Sequence, residues 1–157
     1  MSDADVLSRL RRFLLLTSAL LLAGTVAELL LVGHAGSLVQ VIPFALCAAG
    51  LVAVLAASLR PRRGALLCLR ACMTLVTAGS LYGAYEHVEH NVAFQQEIHP
   101  GATTGELVKA AVGGANPLLA PGILALAAAL ALAATYQHPG LGKPRDAGDR
   151  DGAGGIT

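Results

Sequence analysis

The chain has 157 residues, the usual length of one domain, with 55% hydrophobic residues, 13% charged residues and a formal net charge of +1. This composition excludes a disordered chain, because low hydrophobicity is what keeps a chain unfolded. The small net charge offers no basic excess for a nucleic-acid partner, and three cysteines are too few for a disulfide-rich secreted scaffold.

Four stretches are apolar over the roughly 20 residues that a helix needs to cross a bilayer. They are residues 13–32, 39–59, 64–85 and 117–136. A helix that is hydrophobic on every side has no face for water, so a chain this short cannot hide four of them in a soluble core. The sequence therefore predicts an all-α fold, an integral membrane four-helix bundle with four transmembrane helices within residues 1–138.

The basic residues predict how the bundle is oriented. With four spans, ten of the eleven Lys and Arg residues fall on one side, and only Lys109 falls on the other. Loops rich in Lys and Arg face the cytoplasm, so we expect both termini to be cytoplasmic in an inner or plasma membrane. Arg70 lies just inside the third span, and its long stem is expected to reach toward the cytoplasmic headgroups. Residues 139–157, rich in Gly, Asp and Arg, predict a disordered cytoplasmic tail.

The longest polar stretch between spans, residues 86–116, predicts a cap on the outer side of the membrane. Within it Thr103 and Glu106 have the spacing of a capping box, which marks the start of a helix. The following residues form an apolar stripe that ends at Gly113. We expect a short amphipathic helix that lies on the outer membrane surface or over the mouth of the bundle.

Ionisable residues cluster where the third span meets this cap. On a helix that continues past the membrane, several of them share an arc of about 100° with two glycines. The members of this arc are Gly79, Gly83, Glu86, His87, His90, Phe94 and Glu97. Tyr82 and Tyr85 fall outside it. Gly79 and Gly83 form a GxxxG spacing, which lets another helix approach closely, so the arc is expected to face the mouth of the bundle.

The same level of the membrane holds Glu28, near the outer end of the first span, and His34, just beyond that end. Imidazole and carboxylate groups are ligands of divalent transition metals, so the cluster predicts a metal site. Its candidate ligands are Glu28, His34, Glu86, His87 and His90, with Glu97 and His99 as contributors from the cap. The alternative is that these side chains hydrogen-bond one another and the headgroups in an ordinary outer loop.

The predicted function is that of a small membrane protein, not an enzyme, whose outer cap binds a divalent metal ion or a protein partner. We expect contact with the lipid bilayer, no nucleic acid, and either a homo-oligomer or a complex with another membrane protein. A first alternative is a small proton-coupled transporter that uses Glu28, because an acid within a span is costly and commonly functional. A weaker alternative is a metal- or haem-dependent membrane enzyme.

Overall fold

The computed structural model describes residues 2–33, 36, 38–116 and 118–142 of the chain. The described residues form α-helices and no strand, which confirms the predicted all-α class. The helices are α1 (Asp3–Leu31), α2 (Leu38–Leu59), α3 (Arg63–Ile98), α4 (Thr104–Gly113) and α5 (Leu119–Ala134).

The helices α1, α2, α3 and α5 form a bundle in which each packs against two neighbours, in the cyclic order α1, α2, α3, α5. Neighbouring helices run antiparallel; short connections require this of the pairs α1–α2 and α2–α3, and the contacts below show it for α1 and α5. Arg11, near the start of α1, donates to the carbonyl oxygen of Gln137 beyond the end of α5, at 3.1 Å. Farther along α1, the Ser18 hydroxyl donates to the Ala127 carbonyl in the middle of α5, at 2.8 Å.

Small side chains fill much of the bundle interior, and large apolar side chains cover its outside. Ala127, Ala128 and Ala131 of α5 are fully buried, whereas Leu31 is 88% exposed and Leu59 is 80% exposed. Close approach of helix backbones through small residues is typical of bundles in lipid, where leucine gains little by hiding from its surroundings. By length and composition α1, α2 and α3 are able to cross a membrane, so the fold is compatible with a membrane helical bundle.

The helix α5 is shorter than the fourth span that the sequence predicts. It covers 16 residues, Leu119–Ala134, and is therefore about 24 Å long, whereas the predicted span covers residues 117–136. Pro117 lies outside the described residues. At the other end, α5 stops at Thr135, whose hydroxyl bonds back to the Leu132 carbonyl at 2.8 Å, and Gln137 then takes a positive φ of 45°.

Two helices extend beyond their predicted spans. α1 begins at Asp3 instead of residue 13, because Ser2 and Asp5 form a capping box in which the Asp5 carboxylate accepts from the Ser2 hydroxyl at 2.8 Å. α3 continues to Ile98, well past the predicted end of the third span at Tyr85. This extension is the continuous helix on which the predicted arc of ionisable residues depends.

The cap is a helical hairpin. The predicted capping box of α4 is present: the Glu106 carboxylate accepts from the backbone N–H of Thr103 at 2.7 Å. α4 packs against the outer extension of α3, and Asn91 of α3 donates to the Ala111 carbonyl of α4 at 3.4 Å. The helix thus stands beside α3 and does not lie across the mouth of the bundle.

The bundle end opposite the cap is closed around the end of α5. The Arg70 guanidinium donates from Nε to the Thr135 hydroxyl at 2.9 Å and from Nη2 to the Thr135 carbonyl at 3.0 Å. The sequence alone predicts that the Arg70 side chain reaches toward the headgroups. In the structure its guanidinium group is bonded to Thr135 at the end of α5 instead. Together with Arg11, it supplies donors and positive charge to carbonyls that no longer have a partner within the helix. We call this the arginine end.

Residues Pro139–Leu141 form a 3₁₀ turn against the start of α3. The His138 ring nitrogen Nδ1 accepts from the Gly140 N–H at 3.0 Å, and Gly140 lies against the Pro61 carbonyl. The prediction that the disordered tail begins at residue 139 is therefore wrong for these first residues, because they pack on the bundle. Residues 143–157 of the predicted tail lie outside the described residues.

Candidate functional site

A cavity of about 630 Å³ opens at the bundle end opposite the arginine end. We call it the vestibule. All four bundle helices contribute to its wall, together with Ala115 and Asn116 of the connection between α4 and α5. Its volume lies within the range of roughly 300–1,000 Å³ that is usual for small-molecule sites.

Four of the predicted site residues line the vestibule: Glu28 from α1, and Glu86, His87 and His90 from α3. Residues nearly 60 positions apart in sequence therefore face one cavity, because α1 and α3 both end their apolar segments at this level. His34 lies outside the described residues. The role of these side chains as metal ligands stays a prediction.

Glu97 and His99 do not line the vestibule. Both are exposed, and the His99 ring lies 3.4 Å from the Gln95 side-chain nitrogen. α1 ends at Leu31 and α2 begins at Leu38, so among the described residues α4 and the connection after it are what flank α3 beyond His90. The predicted arc therefore leaves the cavity at this height, and Phe94 faces a separate groove between α3 and α4.

Tyr82 lines the vestibule although helical spacing places it outside the predicted arc. The reason is that two helices approach α3 on its glycine face. A side chain at Gly79 would collide with Leu46 of α2, and one at Gly83 would lie 3.8 Å from the Pro121 side chain of α5. The two glycines therefore face two different helices: the contact at Gly79 is close, whereas that at Gly83 is an ordinary van der Waals contact. The GxxxG spacing does not encode the second neighbour.

The ring of His90 is oriented by a backbone carbonyl. Its Nδ1 lies 2.8 Å from the Glu86 carbonyl, which can only accept, so in the neutral ring Nδ1 carries the proton and Nε2 carries the lone pair. The same Nδ1 is 3.9 Å from the Glu86 carboxylate, and the His90 side chain is 67% exposed against 27% for Glu86. Histidines that bind metals commonly have this arrangement, with the distal nitrogen available and the other bonded to a carbonyl.

The vestibule becomes apolar with depth. Two hydroxyls line its deeper part, but both are already bonded to backbone: Thr25 donates to the Leu21 carbonyl at 3.0 Å, and Ser80 donates to the Pro121 carbonyl. The other side chains there are hydrocarbon. The apolar lining includes Leu29, Val32, Ile42, Pro43, Leu46 and Leu124.

The vestibule ends blindly. Below it, Leu22 and Met73 close on Gly50, where an added Cβ would lie 3.1 Å from each side chain. Val76 and Ala127 are fully buried beside them. The described core between the vestibule and the arginine end is therefore packed and largely apolar.

The charge of the vestibule is negative. Two carboxylates, Glu28 and Glu86, line it, and its described lining contains no Lys or Arg. Lys109 faces the neighbouring groove between α3 and α4. Within the described part of the chain, no group of three or more His, Cys, Asp or Glu side chains is already placed to hold a metal ion.

A buried asparagine fixes the rim of the vestibule, and nothing in the sequence analysis identified it. Asn91 is 2% exposed; its side chain donates to the Asn116 carbonyl at 2.9 Å and accepts from the Asn116 N–H at 2.9 Å. Gly114 packs so closely that a Cβ there would lie within 2.6 Å of the Ala110 carbonyl. Asn91 thereby holds the connection that carries Asn116 against α3.

No family model matches the chain, and no curated protein and no solved structure is significantly similar to it. The chemistry of the vestibule is thus what indicates a function. Carboxylates and imidazoles at the mouth of a cavity whose described lining contains no Lys or Arg favour a positively charged ligand.

Proposed function

We propose that this protein is a small membrane protein of four spans, with both termini in the cytoplasm, that binds a divalent transition-metal ion in the vestibule. One observation carries the proposal: Glu28 of α1 and Glu86, His87 and His90 of α3 line a single cavity. Both ligand types suit zinc, copper or nickel, and water alone is a poor competitor for such a set.

The distribution of charge supports the orientation. The described residues at the arginine end include most of the basic side chains of the chain: Arg9, Arg11, Arg12, Arg60, Arg62, Arg63 and Arg70. The vestibule end carries all five glutamates. Under the rule that basic segments stay in the cytoplasm, the vestibule opens to the outside. For α5 to be the fourth span, the bilayer has to adapt to a helix of about 24 Å, which local thinning allows.

Binding starts from the pair formed by Glu86 and His90, whose side chains are one helical turn apart and nearly in contact. The Nε2 atom of His90 supplies a lone pair, and the Glu86 carboxylate supplies charge. Glu28 or His87 completes the set by rotating its side chain into the cavity. Glu28 is exposed, so a change of its side-chain rotamer costs little, and His87 already lines the cavity.

The test is metal-dependent stability of the protein purified in a mild detergent. Because an ion that binds only the folded state must stabilise it, Zn²⁺ should raise the unfolding temperature of the wild type, and a chelator should reverse the rise. The double variant His87→Ala/His90→Ala should lose the rise. His99→Ala is the matched control, since His99 directly follows the last residue of α3 and lies outside the vestibule. An equal rise in the double variant, or an equal loss in the control, contradicts the proposal.

Proton-coupled transport is the second candidate, and the position of Glu28 in the vestibule is the observation that favours it. The packed core below the vestibule, with Leu22 and Met73 against Gly50, speaks against a continuous path in this conformation. Zn²⁺ flux into proteoliposomes under a pH gradient separates the two functions. Flux that Glu28→Gln abolishes, at unchanged protein content, favours transport, whereas Zn²⁺ binding without flux favours a binding protein.

A further inference from the structure

The vestibule is larger than a metal ion requires. An ion with about six waters, each of about 30 Å³, fills roughly 200 Å³, less than a third of the cavity. The cavity measures about 630 Å³ and reaches down to Leu46 and Leu124. Most of its volume therefore lies beside hydrocarbon and away from the carboxylates.

The two levels of the vestibule have different chemistry. The mouth holds Glu28 and Glu86, together with the ring of Tyr82. Deeper down, the Thr25 and Ser80 hydroxyls are bonded to backbone carbonyls and have little left to offer a polar ligand. A ligand that fills the whole cavity is therefore charged at one end and apolar at the other.

From this arrangement we infer that the vestibule also binds an amphiphilic organic cation, an amine with a compact apolar body. Its ammonium group lies between Glu28 and Glu86 at the mouth, and its hydrocarbon body lies against Leu46, Leu124 and Ala120. The inference deepens the proposed function and rests on it in one respect, namely that the vestibule is a ligand site; it does not require a metal ion.

Charge and shape exclude the other ligand classes. An anion meets two carboxylates and no Lys or Arg in the described lining, so its approach is opposed. A long peptide or lipid chain cannot pass the floor, because Leu22 and Met73 are fully buried there. A quaternary or tertiary amine gains from both carboxylates and from the face of an aromatic ring such as that of Tyr82.

Two positions on α5 provide a matched pair of variants. Ala120 lines the vestibule, so Ala120→Leu puts three more carbon atoms into the space that the apolar body needs. Ala129 is exposed on the outside of the same helix, so Ala129→Leu makes the same chemical change away from the cavity. Glu28→Gln/Glu86→Gln removes the charge at the mouth, and Glu89→Gln is its control, because Glu89 is exposed and does not line the cavity.

The probe is benzyltrimethylammonium, with uncharged benzyl alcohol as the comparison, and the readout is the unfolding temperature in nanodiscs of zwitterionic lipid. The ammonium compound should stabilise the wild type and benzyl alcohol should not. Ala120→Leu and Glu28→Gln/Glu86→Gln should each weaken the apparent affinity by at least about tenfold, the equivalent of about 1.4 kcal/mol. Ala129→Leu and Glu89→Gln should match the wild type.

A second ligand separates failure of this inference from failure of the metal proposal. Zn²⁺ should still stabilise Ala120→Leu, which also shows that the variant is folded, and benzyltrimethylammonium should still stabilise His87→Ala/His90→Ala. If Ala120→Leu does not fold, Ala120→Val fills less of the vestibule and should cause an intermediate loss of affinity for the organic cation. Two results overturn the inference even if Zn²⁺ binds. One is that benzyltrimethylammonium does not raise the unfolding temperature of the wild type, and the other is that the Ala120 variants bind it with wild-type affinity. Binding of the organic cation without any Zn²⁺ effect overturns only the metal proposal.

Discussion

The two ends of one bundle use their charged residues in opposite ways. At the arginine end, Arg70 and Arg11 are bonded to the backbone at the end of α5, and the helices close around them. At the vestibule end, Glu28, Glu86 and His90 line an open cavity. Charges that hold helices together are thus separated by the full length of the bundle from charges that are available to a ligand. The variants below test that division.

The largest loss of stability is expected at the arginine end. Arg70→Met keeps most of the side-chain volume but removes both side-chain donors to Thr135, a residue that is 1% exposed. The Thr135 carbonyl then keeps only its longer bond from the His138 N–H, at 3.2 Å. We expect the free energy of unfolding to fall by about 2 kcal/mol, as for a lost hydrogen bond to a charged group. Denaturant unfolding in mild detergent measures it.

Arg63→Met is the control for this variant, because Arg63 is exposed on the same helix. Its stability should stay within about 0.5 kcal/mol of the wild type. If the free energy of unfolding falls equally in both variants, the positive charge at this end stabilises the bundle, and the specific bonds from Arg70 to Thr135 do not.

A smaller loss is expected at the rim of the vestibule. Gly114→Ala adds a Cβ that would lie 2.6 Å from the Ala110 carbonyl and 2.7 Å from Asn91 Oδ1, so the Asn91 bonds to Asn116 must shift. We expect a loss of about 1–2 kcal/mol from this overpacking. The cation affinity of the vestibule should fall as well, because Asn116 is part of its wall.

The neighbouring glycine is an internal control. A Cβ at Gly113 meets nothing within 4 Å, and the residue lies in the last turn of α4. Gly113→Ala should therefore be neutral or slightly stabilising, by up to about 1 kcal/mol. Equal effects of the two substitutions would show that the Asn91 contact does not hold the rim.

Acid should loosen α4 before it affects the bundle. The Thr103 backbone N–H and hydroxyl donate to the Glu106 carboxylate, and these bonds hold the pKa of that carboxyl below its ordinary value of 4.5. A lowered pKa means that the cap is fully formed above pH 4.5 and is lost as the pH falls through the folded-state pKa. Amide protection factors in α4 should drop in that window, and Glu106→Gln, whose side-chain oxygen accepts but does not titrate, should remove this pH dependence.

The smallest effect is expected at the turn after α5. Burial, and secondly the charge of Arg11, lower the pKa of His138 from its ordinary value of 6.5. The stabilising contribution of the neutral ring is therefore present above pH 6.5 and is lost as the pH falls through the lowered pKa. Protonation of Nδ1 ends its bond from the Gly140 N–H, so amide exchange at Gly140 should accelerate in acid, and should not depend on pH in this way in His138→Asn.

Local features of the fold were predictable, and contacts between distant residues were not. Hydropathy indicates the long helices, and the Thr103–Glu106 spacing indicates the start of α4, because both signals act within a few residues of the chain. Arg70 bonds to a residue 65 positions away, and Asn91 to one 25 positions away. Neither partner follows from hydropathy or helical period.

The same limit applies to the site. Helical period places Glu86, His87 and His90 on one face of α3, and the level of Glu28 places it opposite, which agrees with the lining of the vestibule. The helical period does not show where the neighbouring helices α1 and α2 end beside α3. For that reason it predicts Glu97 as a site residue and does not predict Tyr82. Loop ends and helix neighbours decide the border of a cavity, and both depend on tertiary packing.

The bonds from Arg70 to Thr135 have a consequence for how the protein is made. On the proposed four-span topology, a helix of about 24 Å in a hydrocarbon layer of about 30 Å has its final carbonyls below the membrane surface. Arg70 supplies a donor to one of them from a segment that leaves the ribosome earlier than α5. On that topology, we expect insertion of α5 to depend on α3 being already in place beside it, and a variant chain that lacks α3 should insert α5 less efficiently.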